Sequence, residues 1–249
     1  MKIINITIAI ALISCSLSVS AKAPPPGTGK ADVPANILLM LDTSGSMGNK
    51  TNQARLFERP TGVCIDSKGN QFIVEEARHK VLKFDPSGSL IKVIGKWGRG
   101  NGSFYYPFKC EIDKNDNLYV SDYYNHRAQK FDNNGNLLQI FYGAYYASGI
   151  GVNNDNGDVY VGERLMNRVR KYNSSGRFQQ TVYTGYAPYG ISIHNDIVYI
   201  VTMWRNNVTV KRFDANGGAA LATITPINPH YLASVEVNDN GIYVAHTYH

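Results

Sequence analysis

Residues 107–142 read PFKCEIDKNDNLYVSDYYNHRAQKFDNNGNLLQIFY. The stretch divides into a run from Pro107 to Asp113, a turn at Asn115-Asp116-Asn117, the run Leu118-Tyr119-Val120, the triplet Lys130-Phe131-Asp132, a turn at Asn134-Gly135 and a last run from Leu137 to Phe141. Short apolar or alternating runs closed by Gly, Asn, Asp or Ser mark antiparallel strands joined by tight turns, because those residues tolerate the backbone angles that turns require. One small four-stranded sheet follows from this stretch.

The same plan recurs when the chain is slid against itself, and five copies are begun. Pro60–Asp66, Phe72-Ile73-Val74 and Val81–Asp85 form the first copy, with Leu90–Ile94 as its outer strand. The third holds Gly149–Val152, Asp158–Val161 and Arg170–Asn173, and the fourth holds Pro188–Ile191, Val198-Tyr199-Ile200 and Lys211–Asp214. A fifth starts at Pro229 and reaches Ile242-Tyr243-Val244. Ile73, Tyr119, Tyr160, Tyr199 and Tyr243 align in the second strand, at intervals of 46, 41, 39 and 44 residues. A repeat of roughly forty residues with four strands is the unit of a β-propeller. The fold class is therefore all-β. Composition agrees, with 17 Tyr and 23 Gly against 5 Met and 2 Trp, since aromatic residues suit pleated surfaces and Gly suits turns.

A cation, an aromatic ring and an acid or amide precede one turn of each copy, as Lys83-Phe84-Asp85, Lys130-Phe131-Asp132, Lys171-Tyr172-Asn173 and Arg212-Phe213-Asp214. The ring is expected to pack between sheets, the acid or amide to cap the turn, and the cation to lie outside. Cys110 aligns with Val63 and not with Cys64, which sets the two thiols on different faces of matching strands. They are read as two small buried apolar side chains, although an exported chain makes a disulfide chemically possible.

These residues resemble the NHL repeat family, whose pattern joins a Pro-x-Gly start, a Gly-Asn turn, a Tyr-Val-x-Asp strand and an Asn-His-Arg segment. The second copy carries Tyr119-Val120-Ser121-Asp122 and Asn125-His126-Arg127; Arg78-His79-Lys80 and Met166-Asn167-Arg168 stand at the corresponding places of the first and third. The resemblance covers residues 55–249 and implies an NHL-type β-propeller, five repeats begun, as part of a six-bladed ring whose last blade is incomplete here.

The remainder reads differently. Residues 1–23, with Lys2 before the apolar run Ile3–Ser14 and small residues at Ala21 and Ala23, read as a signal peptide cleaved after Ala23. Leu12-Ile13-Ser14-Cys15 resembles a lipobox, which would attach a lipid anchor at Cys15. The formal charge of +6 falls to +4 once Lys2 and Lys22 leave with the leader, a mild basic excess. A Pro-rich linker spans 24–36. Residues 37–54 then resemble the first strand and metal-site loop of a von Willebrand factor A domain, truncated, in Ile37–Leu41 followed by Asp42-Thr43-Ser44-Gly45-Ser46. That resemblance implies Mg²⁺ or Mn²⁺ held by Asp42, Ser44 and Ser46, a set completed by sequence this chain does not contain; the oxygen chemistry suits hard cations.

The functional expectation is an exported binding or adhesion scaffold, secreted, periplasmic or cell-surface, which recognises protein or glycan through loops on one propeller face. Binding-face candidates are Glu76, Lys80, Asp122, Tyr123, Tyr124, His126, Arg127, Glu163, Arg168 and His246. Glu76, Asp122, Glu163, Thr202 and His246 form a series at the ends of the second strands. Two alternatives carry their own residues. A metal-dependent lyase or hydrolase of the NHL-fold amidating type would use His side chains near the ring axis, from His79, His126, His194, His230, His246 and His249. RNA binding would use Lys80, Arg127 and Arg168 as a cationic arc beside Tyr123 and Tyr124, but an exported protein is not expected to meet nucleic acid.

Overall fold

The computed structural model describes residues 57–204, 207–216, 218–224 and 232–246. The leader, the linker, and Asp42, Ser44 and Ser46 of the metal-site loop lie outside these described residues. Apart from one 3-10 turn at Tyr123–Asn125, everything described is strand, turn or loop around four antiparallel four-stranded sheets and one two-stranded sheet. Blade 1 comprises β1 (Pro60–Ile65), β2 (Gln71–Glu75), β3 (Lys80–Phe84) and β4 (Leu90–Ile94). Blade 2 comprises β5 (Pro107–Ile112), β6 (Leu118–Asp122), β7 (Arg127–Phe131) and β8 (Leu137–Tyr142). Blade 3 comprises β9 (Ala147–Val152), β10 (Val159–Glu163), β11 (Arg168–Tyr172) and β12 (Phe178–Thr184). Blade 4 comprises β13 (Pro188–His194), β14 (Ile197–Trp204), β15 (Asn207–Asp214) and β16 (Ala220–Ile224); β17 (Leu232–Asn238) and β18 (Gly241–His246) begin a fifth. Among the described residues, no helix is long and apolar enough to cross a membrane.

Strand pairing fixes which residues are equivalent. Phe72, Tyr119, Tyr160 and Tyr199 lie opposite Lys83, Lys130, Lys171 and Arg212 in turn. Phe72, and not Ile73, is thus the partner of the three tyrosines, so the first copy is shifted by one residue from the sequence expectation. Three apolar residues in a row, Phe72-Ile73-Val74, leave the register unmarked. The turn marks it, because Asp66 N–H donates to the Asn70 carbonyl as Asp113 N–H donates to that of Asn117.

The phase of each strand decides what it touches. Phe72, Val74 and Val81 of blade 1 pack against Phe104, Leu118, Val120 and Phe131 of blade 2. Tyr119 and Phe141 of blade 2 then meet Val159, Val161 and Tyr172 of blade 3, while Tyr160 of blade 3 meets Val198 and Ile200 of blade 4. One phase faces the next blade and the other the preceding one, so both faces are buried and the strands read as continuous apolar runs. At the axis the innermost strands nearly touch: a Cβ on Gly190 would sit 2.8 Å from the Ser234 Cα, a separation only glycine allows.

The same rule corrects the reading of the cysteines. Cys64, opposite Phe72, faces blade 2; Cys110, opposite Val120, faces blade 1. Different faces of equivalent strands are the two surfaces that meet when blades stack, so the alignment that seemed to separate the thiols brings them together. They form a disulfide, with Cα atoms 5.9 Å apart.

The turn-capping triplet behaves as expected in two of its three parts. Phe84, Phe131 and Tyr172 are buried, and the Oδ1 of Asp85 accepts from the Ser87 and Ser89 amides as that of Asp132 does from Asn134 and Asn136. The cations of the first three copies, however, lie inside, whereas Arg212 of the fourth makes an exposed contact with the Ala222 carbonyl. Lys83, Lys130 and Lys171 pass over the rings of Phe72, Tyr119 and Tyr160 at 5.0, 4.9 and 5.6 Å and end on Asp66, Asp113 and Asp158. A ring face and a carboxylate together replace the water an ammonium loses on burial.

Non-reducing peptide mapping will recover Cys64 and Cys110 in one linked peptide pair. Cys64→Ser is expected to lower stability by about 3–4 kcal/mol, as cross-links closing loops of this size do. Equal unfolding midpoints for native and variant protein would show that the bond contributes nothing.

Candidate functional site

The face formed by the starts of the innermost strands carries most of the sequence candidates, and a buried ladder of acids holds its loops. Glu75, Asp122 and Glu163 end β2, β6 and β10, and all are fully buried. Each accepts from the backbone that leads into the innermost strand of its own blade: Glu75 from the Glu58 amide at 3.0 Å, Asp122 from Tyr105 at 2.7 Å and Glu163 from Tyr145 at 2.9 Å. The position in blade 1 therefore belongs to Glu75 and not to Glu76. Thr202, also buried, holds it in blade 4, and the backbone of His246, in register with Leu232, holds it in β18.

Lys80, Arg127 and Arg168 stand directly opposite these acids. Arg127 is 3% exposed, and its Nε donates to Asp122 Oδ2 at 2.9 Å while its Nη2 reaches the Gly100 and Ser103 carbonyls. Arg168 binds Glu163 in the same way. Two members of the cationic arc expected from the sequence, Arg127 and Arg168, are thus drawn into the supports of the face, because an acid waits across each strand pair. Burial raises the Asp122 pKa, against the Tyr105, Asn125 and Arg127 hydrogen bonds that lower it.

A second device joins neighbouring blades. His79 and His126 have left-handed backbones (φ 55° each), as do Tyr106 and Tyr146 (φ 59° and 54°). In this geometry the Tyr106 amide donates to His79 Nδ1 at 3.0 Å and the Tyr146 amide to His126 Nδ1 at 3.1 Å. Both histidines serve a neighbouring loop. His194 lies elsewhere, paired with Asp239 at 3.0 Å, and His230 and His249 fall outside the described residues. Among the described residues, no group of three or more His, Cys, Asp or Glu side chains is placed to hold a metal.

Above these supports three tyrosine doublets converge, Tyr105-Tyr106, Tyr123-Tyr124 and Tyr145-Tyr146. Tyr124 stands at the centre, its ring centroid 5.4 Å from Tyr105, 5.2 Å from Tyr106, 4.9 Å from Tyr123 and 6.3 Å from Tyr146. Tyr124 and Tyr145 remain about half exposed, at 46% and 48%. Sequence reading found Tyr123 and Tyr124 but not the other two pairs, although both of those end immediately before an innermost strand and that recurrence was the available signal.

Glu76, Tyr123, Arg164 and Met203 each follow the equivalent acid or threonine of a second strand and so hold equivalent places in their blades. Glu76 pairs with Arg59 at 3.0 Å, and burial raises its pKa against the opposing charges of Arg59 and Arg164. Arg164 lies over the Tyr189 ring at 4.6 Å, and its charge is felt by Tyr123. Between the innermost strands is a cavity of about 240 Å³ lined by Thr61, Lys109, Glu111, Ser234 and Glu236, among others. The arrangement offers an aromatic wall, both signs of charge and a polar well on one axis.

No protein-family model matches the chain, and no curated protein matches it. Solved structures do. The chain is similar to hydrazine synthase of Kuenenia stuttgartiensis at 15% identity and a TM-score of 0.59, over 75% of this chain and 55% of that one. Virginiamycin B lyase of Staphylococcus aureus gives 13% identity and 0.59, over 76% and 63% of the two chains. A gluconolactonase of Xanthomonas campestris gives 13% and 0.61, over 75% and 69%. The chain thus spans 55–63% of the first two, and at these identities the likeness establishes a shared β-propeller fold alone.

Two outcomes test the supports. Arg127→Met is expected to destabilise by about 3–5 kcal/mol, since it leaves Asp122 as a buried charge without its partner, and Asp122→Asn added to it should restore part of the loss. His79 has its pKa lowered by burial, so its contribution is intact above the unfolded value near pH ~6.5 and disappears as the pH falls through that value. Urea unfolding at pH 7.5 and 5.5 should show a larger loss for the native chain than for His79→Asn; equal losses would detach the His79 contact from stability.

Proposed function

We propose that the protein is an exported binding scaffold whose tyrosine-walled face, centred on Tyr124 and bordered by Glu76 and Arg164, recognises a protein ligand. The observation that carries this reading is the convergence of three tyrosine doublets on one face, held from beneath by buried ion pairs. Tyrosine and arginine are enriched where proteins meet partners, because each gives a large contact area with a polar tip and few rotatable bonds. The supports matter as much as the rings. Loops fixed before contact lose little conformational freedom on binding, so more of the contact energy appears as affinity.

Ring orientation favours a protein over a glycan. Tyr124 stands edge-on to Tyr106, Tyr123 and Tyr146, at interplanar angles of 83°, 88° and 79°. Mutual edge-to-face packing occupies ring faces and turns edges outward, whereas a sugar's apolar side needs a free face to stack on. Export agrees with two further features. The apolar leader Ile3–Ser14 directs secretion, and a disulfide between Cys64 and Cys110 persists where the medium is oxidising.

A catalytic reading at the same axis draws on the names of fold neighbours, a lyase and a lactonase. Two of its six candidate histidines, His79 and His126, are each engaged by a backbone amide in this chain, so the binding reading accounts for more of the described residues.

The test is a binding screen of native protein and a Tyr124→Ser/Tyr145→Ser variant against extracellular proteins and a glycan array. A protein ligand whose affinity falls by about 2 kcal/mol or more in the variant, roughly thirtyfold, supports the reading, since central aromatic contacts carry losses of that size. Tyrosine-dependent binding confined to glycans would replace the protein ligand with a carbohydrate one. Binding unchanged by the two substitutions would remove this face from recognition.

A further inference from the structure

Charge is sorted by face. Ten of the eleven described aspartates, all but Asp122, stand in or beside the turns at the end of the blades opposite the tyrosine doublets. In or beside the loops of the tyrosine face, eight described Arg and Lys residues meet five acids. Those acids are engaged: Asp122 and Glu163 pair with Arg127 and Arg168, Glu76 with Arg59, Glu58 with Arg78, and Glu75 takes the Glu58 amide. The charge the framework leaves over is therefore positive. Lys96 and Arg99 are exposed, and no described carboxylate pairs with either.

Apolar tips are sorted in the same way. Five successive loops of this face, from the one between β4 and β5 to the one between β12 and β13, each expose a large apolar side chain: Trp97, Tyr124, Tyr145, Leu165 with Met166, and Tyr186. Among the described residues, the turns of the opposite end expose none. Trp97 is the most open, at 69%. Its loop is fixed, since Asn125 donates to the Gly98 carbonyl at 2.9 Å, Arg127 donates to that of Gly100 at 2.7 Å, and Arg99 lies over the Tyr105 ring at 5.7 Å. Lys96, Trp97 and Arg99 thus carry the tyrosine wall toward β4, the outer strand of blade 1, on supports the wall already uses.

We propose that the protein ligand of the tyrosine face docks through an acidic segment that also carries apolar side chains, its carboxylates on Lys96 and Arg99 and its apolar groups against Trp97 and the tyrosines. The proposal rests on the protein-binding reading above and narrows it to one class of partner. A cation without a carboxylate of its own gains one from the ligand, and complementary charge steers the approach, most strongly at low salt. A basic segment meets like charge here and is drawn to the aspartate end instead. Tryptophan and arginine side by side are the residue types on which binding energy concentrates. A second copy's aspartate end, or a sulfated glycan, offers charge without apolar groups and so matches half of the surface.

The experiment measures binding of the full chain to three probes: a random copolymer of glutamate and tyrosine, polyglutamate, and heparin. The copolymer is expected to bind most tightly, and to weaken as salt rises from about 0.1 to about 1 M, which shortens the screening length to about 3 Å. Lys96→Glu/Arg99→Glu should lower its affinity at least about tenfold, because each reversal turns an attraction into a repulsion. Lys68→Glu/Lys114→Glu, the same change in net charge among exposed residues of the opposite end, should leave it unchanged. Equal losses in the two variants, or no binding of the copolymer, overturn the proposal. Polyglutamate binding as tightly as the copolymer removes the apolar part, and binding of heparin alone replaces the acidic segment with an anionic glycan. A protein ligand that depends on Tyr124 and Tyr145 but is indifferent to the Lys96 and Arg99 reversals overturns this proposal and leaves the tyrosine face standing.

Discussion

A sheet of four short strands whose two faces are both apolar cannot meet water on either side, and the architecture answers that one constraint. Phe72 and Val74 look toward the next blade; Leu118 and Val120, of the opposite phase, look back. Tyr119 and Tyr160 repeat the forward contact at the next two interfaces. Stacking around an axis is the geometry in which every sheet has a neighbour on both sides, and burial of apolar area is its driving force. Cross-blade chemistry follows from the same opposition of faces, the Cys64–Cys110 disulfide included.

Polar groups inside such a stack must be satisfied locally, and the chain meets this requirement with repeated sets. Lysines at the end of the third strands lie over an aromatic ring and end on a carboxylate, in blades 1, 2 and 3 alike. Acids at the end of the second strands take an amide from the incoming loop and, in blades 2 and 3, an arginine from the strand opposite. The second set lies directly beneath the tyrosine face. Charge that could have served recognition is held in the framework, and the surface left for a partner is aromatic, centred on Tyr124 with Glu76 and Arg164 at its border.

Parts of this site were legible without coordinates. Tyr123, Tyr124 and His126 were identified, as were Asp122 and Glu163 as members of a series, because the second copy matches the repeat pattern closely. The first copy misled twice, placing Ile73 for Phe72 and Glu76 for Glu75, since an uninterrupted apolar run carries no register of its own. The arginines misled for another reason. A cation in sequence shows its charge but not its partner, and only the antiparallel pairing set Arg127 against Asp122 and Arg168 against Glu163.

What the sequence determined by itself is the unit: strands set by runs and turns, a period near forty residues, and an all-β propeller built by repetition. What only the tertiary structure decided is the relation between units. Residues that share a strand position sit on equivalent, not facing, surfaces, so contacts across an interface join positions of opposite phase. Hence the pairing of Cys64 with Cys110, the acceptance of a neighbouring blade's amide by His79 and the meeting of three tyrosine doublets all depend on how blades stack. Local pattern fixes the periodicity of a chain, but side chains far apart in sequence meet only where apolar faces have brought their backbones together.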